Sequence, residues 1–114
     1  MLTSEIVDEL LAFRKQRDWE KFHTPKNLSI AICVESSELL EHFQWVQDSE
    51  LTERVSQNRQ EIENELADIA ILLTYLCHDL NVSLREAVRR KLAINQQKYP
   101  VEKARGVNTK YDRL

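Results

Sequence analysis

The sequence predicts an all-α protein built as a four-helix bundle, and its composition carries much of that prediction. The 114 residues include one Gly and two Pro, so few turns can interrupt long helices. Good helix formers, led by Leu, Glu and Arg, make up much of the chain. With 42% hydrophobic residues, a chain of this length is expected to form one compact domain around a single core.

Apolar periodicity and capping signals place the four helices in order. Pro25 separates the first helix from the second, which Asn27 or Ser29 would cap and which is apolar around much of its circumference. Ser83 and Glu86 form a capping box that starts the fourth helix. The predicted helices cover about residues 3–21, 28–46, 62–80 and 83–98, while residues 56–60 belong either to the third helix or to a separate turn.

Residues 1–100 are predicted to form the domain and residues 101–114 an irregular C-terminal tail, because Gly106 and many charges leave little periodicity there. Four helices, one of them apolar nearly all round, leave surface that a monomer cannot cover. We therefore expect the bundle to complete its core by dimerisation.

Charge and apolar content exclude several classes of protein. The net charge of −3, with both signs interspersed, argues against a nucleic-acid-binding surface. No apolar run approaches the length of a membrane span, and the N-terminus has no signal-peptide pattern. Cys33 and Cys77 lie in apolar runs without metal-ligand spacing, so we expect buried, reduced thiols and a cytoplasmic protein.

Two pairs of carboxylates interrupt apolar helical strips. Glu35 and Glu38 share a strip of the second helix, and Glu65 and Asp68 share one of the third, each pair at i,i+3 spacing. A single such pair is usually a solvated face, but acids that point toward a core need a compensating partner. If the two helices pack antiparallel, four carboxylates converge into the oxygen-rich site that Mg²⁺ or Mn²⁺ prefers. Redox iron is disfavoured, because neither helix carries the Glu-x-x-His motif.

The chain resembles a known family in these and several further motifs. The pattern ExxE followed by ExxD resembles that of the MazG-like all-α nucleoside triphosphate pyrophosphohydrolases. The remaining segments resemble the single-domain dCTP pyrophosphatase-like branch of this superfamily. The segments that carry the resemblance are Arg17–Trp19, Phe22-His23, Pro25–Leu28, Glu41–Trp45, Asn95 and Lys98–Pro100.

The resemblance implies a MazG-like domain over residues 1–100 that hydrolyses a (d)NTP to the monophosphate and pyrophosphate. It also implies dependence on Mg²⁺, with Mn²⁺ as a substitute, and a homodimer or a dimer-of-dimers tetramer. A triphosphate and four carboxylates repel each other unless divalent cations bridge them. We therefore interpret the four acids as catalytic metal ligands, namely Glu35, Glu38, Glu65 and Asp68. Attack on the α or the β phosphorus stays open, as does the general base.

Other residues are expected to contact the substrate. Aromatic residues predicted for the base pocket are Trp19, Phe22, His23 and Trp45. Lys26 either reaches a phosphate or only closes its loop. A row of basic and polar residues on the fourth helix has two possible roles. It complements the helix dipole, or, as the resemblance favours, it lies near the phosphates. In the second case a neighbouring aromatic residue stacks on the substrate or donates a hydrogen bond to it. These residues are Lys91, Asn95, Lys98 and Tyr99.

Two features leave the detailed function open. Close relatives can carry an aromatic residue at the position of Leu72 and a polar residue at that of Leu10. The sequence therefore leaves the preferred base open, and the substrate is dCTP or another pyrimidine or modified nucleotide. A non-catalytic helical module that senses nucleotide or binds a protein is the alternative to an enzyme.

Overall fold

A computed structural model describes residues 2–114, and its regular secondary structure is entirely helical. Three short 3₁₀ turns accompany the α helices, and residues 2–114 contain no strand. The all-α prediction is therefore confirmed. The helices are α1 (Ser4–Gln16), α2 (Pro25–Glu41), α3 (Leu51–Gln57), α4 (Arg59–Asp79), α5 (Leu84–Lys98) and α6 (Val101–Ala104).

The first helix begins about where the sequence predicted and ends earlier, whereas the second both begins and ends earlier. Asp18 adopts a left-handed backbone (φ 53°), which ends the helical path soon after α1. The predicted caps of α2 were wrong, because Thr24 is the N-cap and its hydroxyl accepts from the N–H of Asn27. Pro25 then occupies the first helical position, where its fixed φ fits and its missing N–H costs nothing.

The later helices follow the capping signals more closely. Residues 51–57 form the separate helix α3, and Asn58 ends it while also preceding α4, which begins before the predicted residue 62. Ser83 accepts from the N–H of Glu86, so the predicted cap of α5 is confirmed. The tail expected to be irregular contains two helical turns, Val101–Ala104 and Tyr111–Arg113.

The chain divides into two compact units, residues 2–81 and residues 82–114. In the second unit the tail folds back on the end of α5. The ring of Tyr111 meets the ring of Tyr99 edge-on at 6.1 Å between centroids, and the Lys98 ammonium lies 4.5 Å from the Tyr111 centroid. These aromatic and cation–π contacts order the last residues of the chain.

The first unit is organised by α2, which packs along α4, while α1 contacts α4 as well. His23, just before α2, meets Tyr75 near the end of α4, whereas Glu38, near the end of α2, meets Glu65 in the first half of α4. The two helices therefore run antiparallel. Leu28 is fully buried between them.

The opposite face of α2 is exposed, although this helix is apolar around much of its circumference. Ile30, Cys33, Val34 and Leu40 share this face and are all exposed. The prediction of a buried Cys33 was therefore wrong, and Cys77 is half-buried; both thiols are free. An apolar face on a helix predicts burial, but the sequence does not say whether the same chain or another one covers it.

In the part of the chain that the structure describes, no single helix is both long and apolar enough to cross a membrane. Only α4 and α5 taken together, across a bend, meet that requirement of length and composition.

Candidate active site

Three carboxylates meet where α2 crosses α4. Glu35, Glu38 and Glu65 each place one oxygen within 4.8 Å of the other two, and all three side chains are half-buried. Residues three apart on a helix project from the same face, so α2 delivers two of the acids together. Asp68 lies one turn beyond Glu65 on α4 and borders the adjoining cleft beside Glu35. The antiparallel pairing thus brings together three of the four acids that the sequence predicted, whereas Asp68 is exposed and lies outside this group of three.

The crowding changes the acidity of the group. Burial first, and then the hydrogen bond and negative charge of Glu38 together with the charge of Asp68, raise the pKa of Glu35 from 4.5 to about 7. Burial and the neighbouring Glu38 also raise the pKa of Glu65. The raised pKa values of Glu35 and Glu65 reflect the repulsion among carboxyl groups this close, which a bound cation would relieve.

Two oxygens of the group have no partner within the described residues. Oε2 of Glu35 and Oε2 of Glu65 are both buried and accept no hydrogen bond. A buried anionic oxygen without a donor is costly, and a bound cation removes that cost. An all-oxygen set of carboxylates is what hard divalent cations prefer. Glu35, Glu38 and Glu65, with Asp68 beside them, therefore fit a divalent cation.

A cleft of about 340 Å³ opens next to the acids in the first unit. Its volume lies within the range of small-ligand sites. One side carries carboxylates and the rest is aromatic or aliphatic, so the cleft suits a ligand with a charged end and a flat, less polar end. Its lining consists of Phe13, Trp19, His23, Glu35, Asp68, Ile71, Leu72 and Tyr75.

The aromatic part of the cleft depends on the loop between α1 and α2. Trp19 packs edge-on against Phe13, with ring centroids 5.6 Å apart. The side-chain amide of Asn27 donates to the carbonyl of Phe22, which fixes the loop to the first turn of α2. The ring of His23 lies 5.3 Å from the ring of Tyr75 at an interplanar angle of 34°. The loop thereby presents two of the predicted aromatic residues, Trp19 and His23, to the cleft.

A partly buried ion pair adjoins this loop. The Arg14 guanidinium, in a residue that is 3% exposed, donates twice to the Asp79 carboxylate, each time at 2.8 Å, while its Nε is buried without a partner among the described residues. Asp79 in turn raises the pKa of Arg14, and Arg14 lowers the pKa of Asp79. Arg14 also lies over the ring of Tyr75 at 4.6 Å, and the Tyr75 hydroxyl donates to the carbonyl of Leu10 at 2.8 Å.

Three predicted contact residues do not line the cleft. Phe22 is 60% exposed and its ring faces the Lys21 ammonium at 5.3 Å. Lys26 is exposed on the first turn of α2, and Trp45 is 87% exposed beyond the end of that helix. α2 ends at Glu41, so the predicted extension to residue 46, which would have carried Trp45 along the helix, does not form.

The predicted basic row lies in the second unit. Lys91 and Tyr99 are exposed, whereas Asn95 and Lys98 are half-buried on α5. The ammonium of Lys98 faces the ring of Tyr111. The expected role of these four residues near phosphates stays a prediction.

Sequence reasoning missed Arg14, Tyr75 and Asp79. A usable signal was present for Arg14, which continues the apolar stripe of Val7 and Leu11 at helical spacing and is thus a charge placed toward the core. That is the same signal that identified the acids of α2 and α4.

The fold and this site define an all-α protein with a carboxylate centre suited to divalent cations. The chain belongs to the MazG-like family, whose family model matches residues 30–114. Its structure is similar to that of a pyrophosphatase from Archaeoglobus fulgidus, with a TM-score of 0.82 and 44% identity, covering 84% of this chain and 90% of that one.

Curated relatives are similar in sequence. dCTP pyrophosphatase 1 of Rattus norvegicus is 41% identical over 104 residues, and that of Homo sapiens is 39% identical over the same length. Each alignment covers 90% of this chain and 61% of the relative. The chain therefore spans less than two thirds of the length of these relatives.

Proposed function

We propose that the protein is a Mg²⁺-dependent nucleoside triphosphate pyrophosphohydrolase that converts a (d)NTP, dCTP or a related pyrimidine or modified nucleotide, to the monophosphate and pyrophosphate. The observation that carries this proposal is the meeting of Glu35, Glu38 and Glu65, two of them with unpartnered buried oxygens, beside an aromatic cleft. The names of the similar proteins, dCTP pyrophosphatase 1 and pyrophosphatase, support the same reaction.

The site separates two tasks along the cleft. Glu35, Glu38, Glu65 and Asp68 would hold the cations and through them the triphosphate, which four carboxylates would otherwise repel. Mg²⁺ held by these residues would supply polarisation of a phosphoryl oxygen and a lower pKa for a water molecule. Because the pKa of Glu35 is about 7 without a cation, Glu35 loses its proton as the site is loaded.

The aromatic part of the cleft would bind the base. Trp19 and Phe13 offer ring faces and edges on which any base can stack, which provides affinity without selecting among bases. Leu72 and Ile71 add aliphatic walls. Polar recognition must therefore come from few groups, of which His23 is one.

The direct experiment is pyrophosphate release from a panel of canonical and modified dNTPs, with and without Mg²⁺. We expect metal-dependent turnover, with Glu38→Gln as the inactive variant. Glu63→Gln is the matched control, because Glu63 is an exposed acid on α4 outside the carboxylate group. Wild-type turnover no greater than that of Glu38→Gln would exclude the enzyme. Calorimetric binding of nucleotide without turnover would instead support the non-catalytic sensing module.

We further propose that the chain associates into a homodimer or a dimer of dimers through the outward face of α2. Ile30, Val34 and Leu40 expose about half of their surface each, at 52%, 49% and 53%. A contiguous apolar face of this kind is typical of a surface that another chain covers. Light scattering after size exclusion tests this, with Val34→Glu expected to shift the protein toward monomer. A monomeric wild type would contradict it.

A further inference from the structure

The partly buried pair of Arg14 and Asp79 contacts a residue of the cleft. Arg14 Nη1 donates to Asp79 and also lies 3.5 Å from Nδ1 of His23. A guanidinium only donates hydrogen bonds, so the imidazole nitrogen that faces it must accept. This contact favours the tautomer of His23 with its proton on Nε2, since a proton on Nδ1 would set two donors against each other.

Neighbouring groups hold the His23 ring in this state. Burial and, second, the charge of Arg14 lower the pKa of His23, against a smaller opposing effect of Asp79. The ring of Tyr75 packs against the His23 ring at a tilt of 34°, and the Tyr75 hydroxyl donates to the carbonyl of Leu10, which holds Tyr75 in place. The charged groups around His23 are thus Arg14 and Asp79, from α1 and α4, and they compensate each other. The ring is neutral, oriented and half-buried at the cleft.

We propose that Arg14 and Asp79 are positioning residues that fix His23 as a hydrogen-bond donor to the cleft through Nε2–H, and that this donor selects a base with an acceptor at that point. Nε2 is the only polar ring atom of His23 that Arg14 does not engage. Asp79 acts through Arg14, because the bidentate contact sets the plane of the guanidinium and hence the direction of the N–H that faces Nδ1.

A fixed donor that faces position N3 of the base discriminates between pyrimidines. Cytosine presents two adjacent acceptors, N3 and O2, whereas thymine and uracil carry N3–H in the first position. A donor that cannot change tautomer leaves N3–H of thymine facing another N–H, and such unpaired polar groups reject a substrate strongly. This selection for cytosine rests on the proposed function, whereas the tautomer of His23 does not.

The tautomer can be measured without turnover. Long-range ¹H–¹⁵N spectra of the full chain, labelled at its three histidines, report which ring nitrogen carries the proton. We expect His23 to be neutral with the proton on Nε2 at neutral pH, and the signal is assigned by its loss in His23→Gln. Arg14→Lys should give a mixture of tautomers, because an ammonium cannot bond Asp79 twice and still face Nδ1. Protonation of Nδ1 in the wild type would overturn the proposal, whether or not the variant folds.

Kinetics then test the donor itself. The amide of His23→Gln can place an N–H near the position of Nε2, while the shorter His23→Asn places it near Nδ1. We expect KM for dCTP to rise about 5- to 10-fold in His23→Asn, more than kcat falls, and to rise less in His23→Gln. The preference for dCTP over dTTP should fall in His23→Asn and be partly restored in His23→Gln. His78→Gln, an exposed histidine of α4, is the control.

The two arms fail separately. If no dNTP is hydrolysed by the wild type, the proposed function fails while the spectra still decide the tautomer. If turnover is normal and both His23 variants keep the dCTP preference unchanged, the selective role of His23 is wrong while the proposed function stands.

Discussion

Two acids of α4, Glu65 and Asp79, lie in opposite electrostatic environments. Glu65, in its first half, meets two more carboxylates and keeps a buried oxygen without a partner among the described residues. Asp79, its last residue, is paired twice with a single guanidinium. The first arrangement raises the pKa of the acids and the second lowers that of Asp79. Carboxylates without a partner can still bind a ligand. A carboxylate paired with a guanidinium stabilises the fold instead, because its oxygens already accept hydrogen bonds.

The largest effect is expected from neutralising one unpaired acid. Glu35→Gln should lower metal-dependent turnover by at least about 100-fold, because loss of even an outer-shell partner of a metal costs about 10- to 100-fold. The metal-free thermal midpoint should stay or rise, because the change removes like-charge crowding. Calorimetry and pyrophosphate release measure the two quantities, with Glu63→Gln as control. A clearly lower midpoint would mean that Glu35 is structural.

The second effect concerns the paired acid. Arg14→Met should lower the free energy of unfolding by about 2 kcal/mol, because it removes two charge-assisted hydrogen bonds to Asp79, whose side chain is 25% exposed. Asp79→Asn, which keeps an acceptor for the guanidinium, should cost less. Urea denaturation of both variants measures this. If Arg14→Met lowers the free energy of unfolding no more than the loss of an exposed ion pair does, the proposed difference between the two acid environments is wrong.

The third effect is a dependence of stability on pH. The folded pKa of Glu35, about 7, exceeds its ordinary value of 4.5, so its contribution is complete below the ordinary value and is lost as the pH rises through about 7. The metal-free midpoint should therefore fall between about pH 5 and 8, and saturating Mg²⁺ should stabilise more as the pH rises.

The same pH titration of stability distinguishes the environment of Asp79 from that of Glu35. Its pKa is lowered, so the stability that it contributes is present above the ordinary value of 3.8 and is lost only as the pH falls through the lowered pKa. The pair with Arg14 is thus constant where Glu35 titrates. Thermal scans of Glu35→Gln should show a flatter metal-free curve above pH 5. An unchanged slope would assign the pH dependence to other groups.

The smallest effect is expected from an exposed ion pair. Arg59 and Glu63 meet at 3.1 Å with 71% and 53% of their side chains exposed. Solvent screens such a pair, so Glu63→Gln should change the free energy of unfolding by less than about 0.5 kcal/mol. Urea denaturation beside Arg14→Met would show that burial, rather than ion pairing itself, makes the difference. Equal costs for the two pairs would contradict this.

The sequence predicted the helices and the acids because both are local patterns. Helical spacing shows that Glu35 and Glu38 share a face, and antiparallel pairing was the one assumption needed to add Glu65. Contacts distant along the chain left no such signal, since Arg14 and Asp79 are 65 residues apart. The start of α2 was missed because Pro25 was interpreted as a break rather than as a first helical residue.

The two faces of α2 have a thermodynamic consequence. One face holds Glu35 and Glu38 against α4, and the other exposes Ile30 and Val34 to solvent. If a second copy covers the outer face, as proposed, it contacts the same helix that carries the inner acids, and occupancy of one face and cation binding at the other would then be linked. Such linkage is mutual: if association tightens cation binding by some factor, the cation tightens association by the same factor.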